Sequence, residues 1–515
     1  HQTNKKVAGA FLFQNTHSSA AEQVDACGRC HARRGPLTNE FKHEEDMMDH
    51  YIPILPEYPL YHVDGQINEE VYVYGSFLQS KMYHRSVSCM DCHDPHTNML
   101  KFEGNDLCAQ CHQKDKYDNL THHFHPKDSE GAQCVNCHMP GKTYMGNDFR
   151  RDHSFRVPRP DLSEAYNVPN ACNDCHADKD FKWASDAIVE HYGPQRSRHF
   201  SEAFAAFQTG NINAYPQIIG LISDTSNSHF VRATALDLSN TIQDEYTLSR
   251  LVSALKSEHD IMRYTALNAF ANYAQEDRLK YLSPMLKDSS RAVRTQAVYL
   301  MADLSADLFK GSLQEYYAKA MDELQAKMDV QADFPQGQNY IAQFHFNRKE
   351  YRRAEQAYLK AYNLDPYDPS SQIGLANLYY RQSNIKAAEK AFLKAIEIYD
   401  ASVEAHYSLG LLYAETKDLE NAARYFGNAA RKSQQPRHYY NWGLTLQNLG
   451  KIDEAEKVYL EALELHPQSE EVQYALSILY LNEGKNTEAK RYLENLLRLF
   501  PNNKEYRRLI IMANS

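Results

Sequence analysis

No run in this chain of 515 residues approaches the ~20 consecutive apolar residues that a membrane-spanning helix requires. The nearest candidate, VAGAFLF at 7–13, is too short. An excess of basic residues is also missing. Fifty-six Lys and Arg stand against 67 Asp and Glu, a net charge of -11, which excludes the basic face that nucleic acid would demand. No initiating methionine is present: the chain opens on a histidine, as expected where a targeting segment or other upstream sequence has been removed. Above all, no cysteine is left over for a disulfide framework. All ten fall into five copies of one pattern, CxxCH.

The copies are CGRCH at Cys27 and Cys30, CMDCH at Cys89 and Cys92, CAQCH at Cys108 and Cys111, CVNCH at Cys134 and Cys137, and CNDCH at Cys172 and Cys175. A redox dithiol needs no histidine behind it, and one copy is enough. Structural zinc wants four ligands, usually from paired CxxC units, so five motifs leave an odd one. Histidine is roughly 5% of the chain, and five chance placements behind CxxC would arise about once in three million trials. Covalent haem explains the spacing. Cysteines three apart on a helical turn reach the two vinyl groups of one porphyrin, and the next residue lies under the iron. The motifs therefore predict five covalently attached haems c, with His31, His93, His112, His138 and His176 as the first axial ligands.

The chain reads as mainly α and divides into three regions. Residues 1–195 hold every CxxCH motif and 17 of the 24 histidines, with weak apolar periodicity and dense turn residues such as PILPEYP, DGQ and HMPGK. An irregular multihaem cytochrome domain is expected there, folded around stacked porphyrins. Residues 196–330 repeat every 31 or so: FVRATAL, IMRYTAL and AVRTQAV keep Arg232, Arg263 and Arg294 in step, and likewise Ala235, Ala266 and Ala297. This pattern resembles HEAT repeats. Residues 331–515 change to a period of about 34, the tetratricopeptide length, with Ala354, Ala388, Ala422, Ala455 and Ala489 at the helix–helix contact and Pro366, Pro467 and Pro501 closing second helices. About five such repeats make an α-solenoid whose concave face is free to dock a partner.

With the motifs in place, CVNCHMPGKTYMGNDFRRDHSFRVPRP followed by NACNDCHADKD resembles the end of the lineage of pentahaem nitrite reductases and octahaem hydroxylamine oxidoreductases. There a CxxCHMP motif precedes a downstream Asp-His and then the final haem motif. DGQINEEVYVYGSFLQSKMYHRSVSCMDCHDPH is similar to multihaem cytochromes that carry tetratricopeptide repeats behind the haems. That resemblance implies an exported protein, periplasmic or extracellular, and in that group further haem motifs usually lie upstream. One departure matters. The nitrite reductases usually hold their catalytic haem by CxxCK, whereas His31 ends the first motif here.

The second axial position separates a wire from an enzyme, since two imidazoles give a closed centre and an open face admits substrate. The haem region offers His1, His17, His43, His50, His62, His84, His96, His122, His123, His125, His153 and His191 beyond the motifs. Of these His62, His96, His122, His123, His125 and His153 are the expected second ligands, and the resemblance singles out His153. His229, His259, His345, His406, His438 and His466 are expected to be structural. Arg33, Arg34, Arg150, Arg151, Arg156 and Arg159 suit either haem propionates or ordinary surface charge. Three functional readings follow. The first is a multihaem electron-transfer cytochrome whose repeats dock redox protein partners. The second is an oxidoreductase of small nitrogen or sulfur compounds, with the haem of His31 open and His122, His123, His125 and Tyr117 handling protons. The third is an assembly subunit of a larger complex or filament. Histidine in all five motifs ranks electron transfer first.

Overall fold

The computed structural model describes residues 19–40, 42, 45–97, 99–208, 214–241 and 244–514. The VAGAFLF stretch, His1, His17 and His43 lie outside the described residues. The protein is mainly α and forms two compact units, His1–Val330 and Gln331–Ser515. No helix among the described residues is long and apolar enough to cross a membrane.

The first unit begins with helix Ala20–His31, entered through a reciprocal cap in which the Ser19 N–H donates to Glu22 and the Glu22 N–H donates to Ser19 Oγ. Elements then stay short up to helix Phe181–Tyr192. Two small antiparallel ladders interrupt them: Arg34–Pro36 with Tyr51–Pro53, and Gly141–Tyr144 with Asp148–Arg151. The second ladder turns through Met145 and Gly146, at φ of 50° and 77°. It doubles the chain back so that residues on either side of it, His138 and His153, enter the same region.

Side-chain burial in this part is uneven. Val24, Leu37, Met47, Met48, Tyr61, Val71, Tyr74, Phe77 and Leu78 form a buried apolar cluster, and Leu162, Val168 and Ala184 resume it. Between Leu78 and Leu162 only two apolar residues, Ala132 and Pro160, are buried among the described residues. Fixing a residue's backbone costs roughly 1–2 kcal/mol, and two small residues offset almost none of that over such a span. Meanwhile Met99, Leu100, Phe102, Leu120, Met145 and Phe149 stand exposed in the same span.

From His229 a helical repeat takes over. Helices His229–Leu238, Asp260–Ala269 and Arg291–Leu300 start 31 residues apart. The in-step arginines share one task. Arg232 Nε donates to the Ile222 carbonyl, Arg263 to the carbonyls of Ser257 and Glu258, and Arg294 to those of Asp288 and Ser289. The last two also reach forward to carboxylates, Asp288 at 2.7 Å and Glu323 at 2.7 Å. Each arginine thus ties off the carbonyls just ahead of its own helix, while Ala235, Ala266 and Ala297, all fully buried, let the helices close up. This repeat is fastened to the CxxCH region: the Arg291 N–H donates to Asp49 Oδ1 at 2.7 Å, and Ser290 Oγ to the Met48 carbonyl.

The second unit consists of five helix pairs, from Pro335–Asn347 with Tyr351–Leu364 to Glu470–Asn482 with Asn486–Leu499, closed by Lys504–Ala513. Ala354, Ala388, Ala422, Ala455 and Ala489 are all 0% exposed, at the tightest helix contacts. A tyrosine–glutamate bond recurs between successive pairs: Tyr379 to Glu355, Tyr413 to Glu389 and Tyr480 to Glu456. Where Ala423 and Gln447 stand at the corresponding positions, Gln447 Nε2 donates to Tyr459 instead, at 2.8 Å. Replacing Ala422 by leucine forces a side chain into a contact with no free space. Ala422→Leu should lower the unfolding free energy by about 1–3 kcal/mol, seen as a lower midpoint in thermal unfolding followed by helical circular dichroism. An unchanged midpoint would refute the packing described.

Candidate haem-attachment sites

Each CxxCH motif forms a single helical turn. The N–H groups of His93, His112 and His176 donate to the carbonyls of Cys89, Cys108 and Cys172 at 2.9, 3.0 and 2.9 Å. The first motif ends helix Ala20–His31 and the fourth fills helix Cys134–His138. Local sequence explains the turns. Asn170 Oδ1 caps the N–H groups of Cys172 and Asn173, Asn105 Oδ1 accepts from the Cys134 N–H at 2.9 Å, and Ser88 and Asp91 cap the second motif. In the first motif Gly28 has a steric reason, because a Cβ there would meet the Tyr74 ring at 2.4 Å.

All ten cysteines are free thiols, and none is fully buried. The Cys89 thiol lies beside that of Cys27, and the Cys108 thiol beside that of Cys134. Both contacts join one motif to the next in sequence, so consecutive attachment turns touch. In the first, third and fifth motifs the second cysteine, Cys30, Cys111 or Cys175, is exposed. Among the described residues no group of three or more His, Cys, Asp or Glu converges to hold a metal ion.

Three imidazole pairs stand out. Two imidazoles bound through nitrogen to opposite faces of one metal ion have ring centres about 6.3 Å apart, given a metal–nitrogen bond of about 2.0–2.1 Å. His93 and His153 lie 6.5 Å apart with their planes at 25°. His138 and His122 are 6.3 Å apart at 13°, and His176 and His125 are 6.2 Å apart at 35°. Every pair joins one motif histidine to one non-motif histidine. In every pair one ring has its Nδ1 tied to a backbone carbonyl: His153 to Arg151 at 2.9 Å, His138 to Arg156 at 2.6 Å, and His125 to His123. Such a bond fixes the tautomer and leaves Nε2 with its lone pair outward, as a metal ligand needs. Burial pushes the imidazoles of His93, His122 and His153 below their ordinary pKa, which favours the neutral form that coordinates.

Other expected positions fare differently. His31 and His112 are exposed, and the ring beside His112 is that of Tyr117, at 5.7 Å. His96 is exposed, in a tight loop where Asp94 accepts the N–H groups of His96 and Thr97, and among the described residues its ring is not set against a motif histidine. His123 faces its own neighbour, its Nδ1 accepting from the His125 N–H at 3.2 Å. His62 sits in a loop beside Asp64, where burial lowers its pKa, and among the described residues it is not set against a motif histidine. His84 and His229 are 6.1 Å apart at 87°, but neither belongs to a motif. His345, His406, His438 and His466 are hydrogen-bonded within the repeats.

The arginines are engaged by the protein itself. Arg150 binds Glu70 and Asp148, Arg159 binds Asp161, and Arg156 binds the Asp64 carbonyl and Ser154. Arg151 clamps the fourth motif through the Val135 and Met139 carbonyls and Asn136. Residues that sequence reasoning passed over hold this region together. Asp64 and Gln66 of the DGQ turn, Ser76, Asp152 and Ser154 are all buried polar groups, bonded to one another or to the backbone around His153. Their signal was a buried-looking Asp-Gly-Gln in an otherwise exposed loop, which reads locally as nothing more than a turn.

The residues present fit covalent haem: cysteine pairs on single turns with none fully buried, motif and non-motif imidazoles facing each other at 6.2–6.5 Å, and few buried apolar residues with exposed apolar side chains around them. A family model for the doubled CXXCH motif matches residues 84–117, and two tetratricopeptide repeat models match 373–436 and 448–510. Among curated proteins no match is found. Among solved structures the chain is similar to YrrB, a tetratricopeptide protein described as having an unusual peptide-binding site, at 20% identity over 37% of this chain and 96% of that one, with a TM-score of 0.30. It is also similar to MamA at 21% identity over 31% and 93%, with a TM-score of 0.28. MamA of Desulfovibrio magneticus gives 15% identity over 33% and 97%, with a TM-score of 0.29. The chain is thus a mainly α protein in which a doubled CxxCH segment, the attachment signature of c-type haem, precedes tetratricopeptide repeats, a class of fold that binds other proteins.

Proposed function

We propose that the chain is a multihaem c-type cytochrome that carries five covalent haems and passes electrons between redox partners. One observation carries this reading: three motif histidines each face a second imidazole at the spacing of two ligands on one iron. Bound haem supplies a one-electron iron couple, and two imidazoles per iron keep it six-coordinate and low-spin. The chain's own contribution is to hold one ring of each pair through its Nδ1, to half-bury the paired imidazoles, and to bring the first attachment turn against the second and the third against the fourth. On this reading His153, His122 and His125 are second ligands opposite His93, His138 and His176. His31 and His112 supply the first ligands of the remaining two haems.

Maturation of such haems takes place outside the cytoplasmic membrane, so we place the protein in the periplasm or outside the cell. The region 196–330 is read as HEAT-like, and together with the tetratricopeptide repeats of 331–515 it would dock a redox partner or build a larger complex or filament.

Intact mass of the denatured protein should equal the chain plus five haems, with no free thiol. Bound zinc, or a smaller haem number, would contradict the proposal. In the oxidised protein, magnetic resonance should show predominantly low-spin iron, and His122→Ala or His125→Ala should each convert one haem to a high-spin, water-ligated form while its thioethers retain the porphyrin. A stoichiometric high-spin haem in the unmodified protein, with multi-electron turnover of a small nitrogen or sulfur compound, would favour the reductase reading instead.

A further inference from the structure

The segment 151–156, RDHSFR, makes contacts out of proportion to its length. Arg151 clamps the fourth motif, and the Arg156 N–H donates to the His138 carbonyl while its own carbonyl accepts from His138 Nδ1. His153 between them faces His93, yet little holds His153 directly. Its N–H donates to Ser76 Oγ at a long 3.3 Å, and its Nδ1 bond goes to Arg151 in its own segment.

The firm anchor is the preceding residue. Asp152 is 8% exposed and accepts two backbone bonds: from the Ser154 N–H at 2.8 Å on Oδ1, and from the Ile67 N–H at 3.1 Å on Oδ2. Ile67 belongs to the DGQ loop, which is itself stiff. Asp64 accepts from both the N–H and the side-chain amide of Gln66, and that amide also donates to the Pro169 carbonyl at 2.7 Å. One carboxylate therefore spans two segments far apart in sequence.

The segment is also under strain. Phe155 has φ of 48°, a left-handed conformation that a bulky side chain avoids and that persists only where surrounding contacts over-determine it. Its ring packs against Phe77 at 6.1 Å and against the His153 imidazole at 6.0 Å. If the segment is released, relaxation at Phe155 carries His153 with it.

We propose that Asp152 is a positioning residue for His153, fastening the strained 151–156 segment to the 64–67 loop so that the imidazole stands opposite His93. The inference rests on reading His93 and His153 as the two ligands of one iron. It assigns no ligand role to Asp152, whose two oxygens are both occupied by N–H groups.

Three variants of the haem-loaded full chain test it: Asp152→Ala, Asp152→Asn and His153→Ala. His153→Ala should make one haem high-spin. Asp152→Ala should leave the haem number unchanged but loosen the ligand of that same haem. Its displacement by cyanide should run about 10–100-fold faster, the usual scale of losing a residue that orients a metal ligand. Asparagine keeps the shape and one acceptor oxygen, so Asp152→Asn should fall between alanine and the unmodified protein. A general loss of stability would instead disturb several haems together and would not be graded by the asparagine. If Asp152→Ala does not accumulate as loaded protein, Asp152→Asn carries the test alone. One high-spin haem in His153→Ala, with unmodified cyanide kinetics and spectra in the Asp152 variants, would overturn the role of Asp152 only. An all-low-spin His153→Ala would overturn the ligand reading and the inference with it.

Discussion

The constraint on which the first unit depends is a missing hydrophobic core. Over the span between Leu78 and Leu162 the only buried apolar residues among those described are Ala132 and Pro160, yet its turns are capped, its imidazoles are aligned and its polar groups are bonded. Order without buried apolar side chains needs another source of apolar contact, because backbone entropy opposes folding at every residue. On the proposed reading, covalent porphyrins would supply it. Apolar side chains that face water in this span, Met99, Phe102 and Leu120 among them, are available to such rings. The cofactor would then be the core of the domain as well as its chemistry.

That division of labour explains how the chain is built. Where porphyrin does the packing, the polypeptide needs only one-turn helices, tight caps and a few polar clasps, and it can afford loops in place of long elements. Where no cofactor is available, from His229 onward, the same chain reverts to regular helices with small residues at every close contact. Ala266 and Ala422 serve the same end in two different repeats, and the arginines and tyrosines in register beside them satisfy polar groups between neighbours.

Much of this was legible in the residues. The CxxCH spacing dictates a single turn, the shared period fixes the repeats, and the alanines at that period mark their contacts. The sequence also singled out His153, through the Asp-His downstream of CxxCHMP, and its ring lies 6.5 Å from that of His93. Choosing among the other histidines was not possible from sequence. His122, His123 and His125 are nearly adjacent, and only the folded chain, which turns through the left-handed Phe124 at φ of 57°, shows that the rings of His122 and His125 face His138 and His176. His96 was equally eligible by sequence, and it stands exposed in a loop that Asp94 caps. The clasp formed by Asp64, Gln66 and Asp152 was hidden for a similar reason: its partners are separated by more than 80 positions, and each looks like an ordinary polar turn residue on its own.

The central claim, that porphyrin replaces the side-chain core, is tested most directly by amide hydrogen exchange on the protein with and without attached haem. In the loaded protein residues 79–161 should be protected. In chain produced without haem attachment that span should exchange nearly as fast as an unfolded segment, while 331–515 keeps its protection unchanged. Equal protection of 79–161 in both forms would contradict the account.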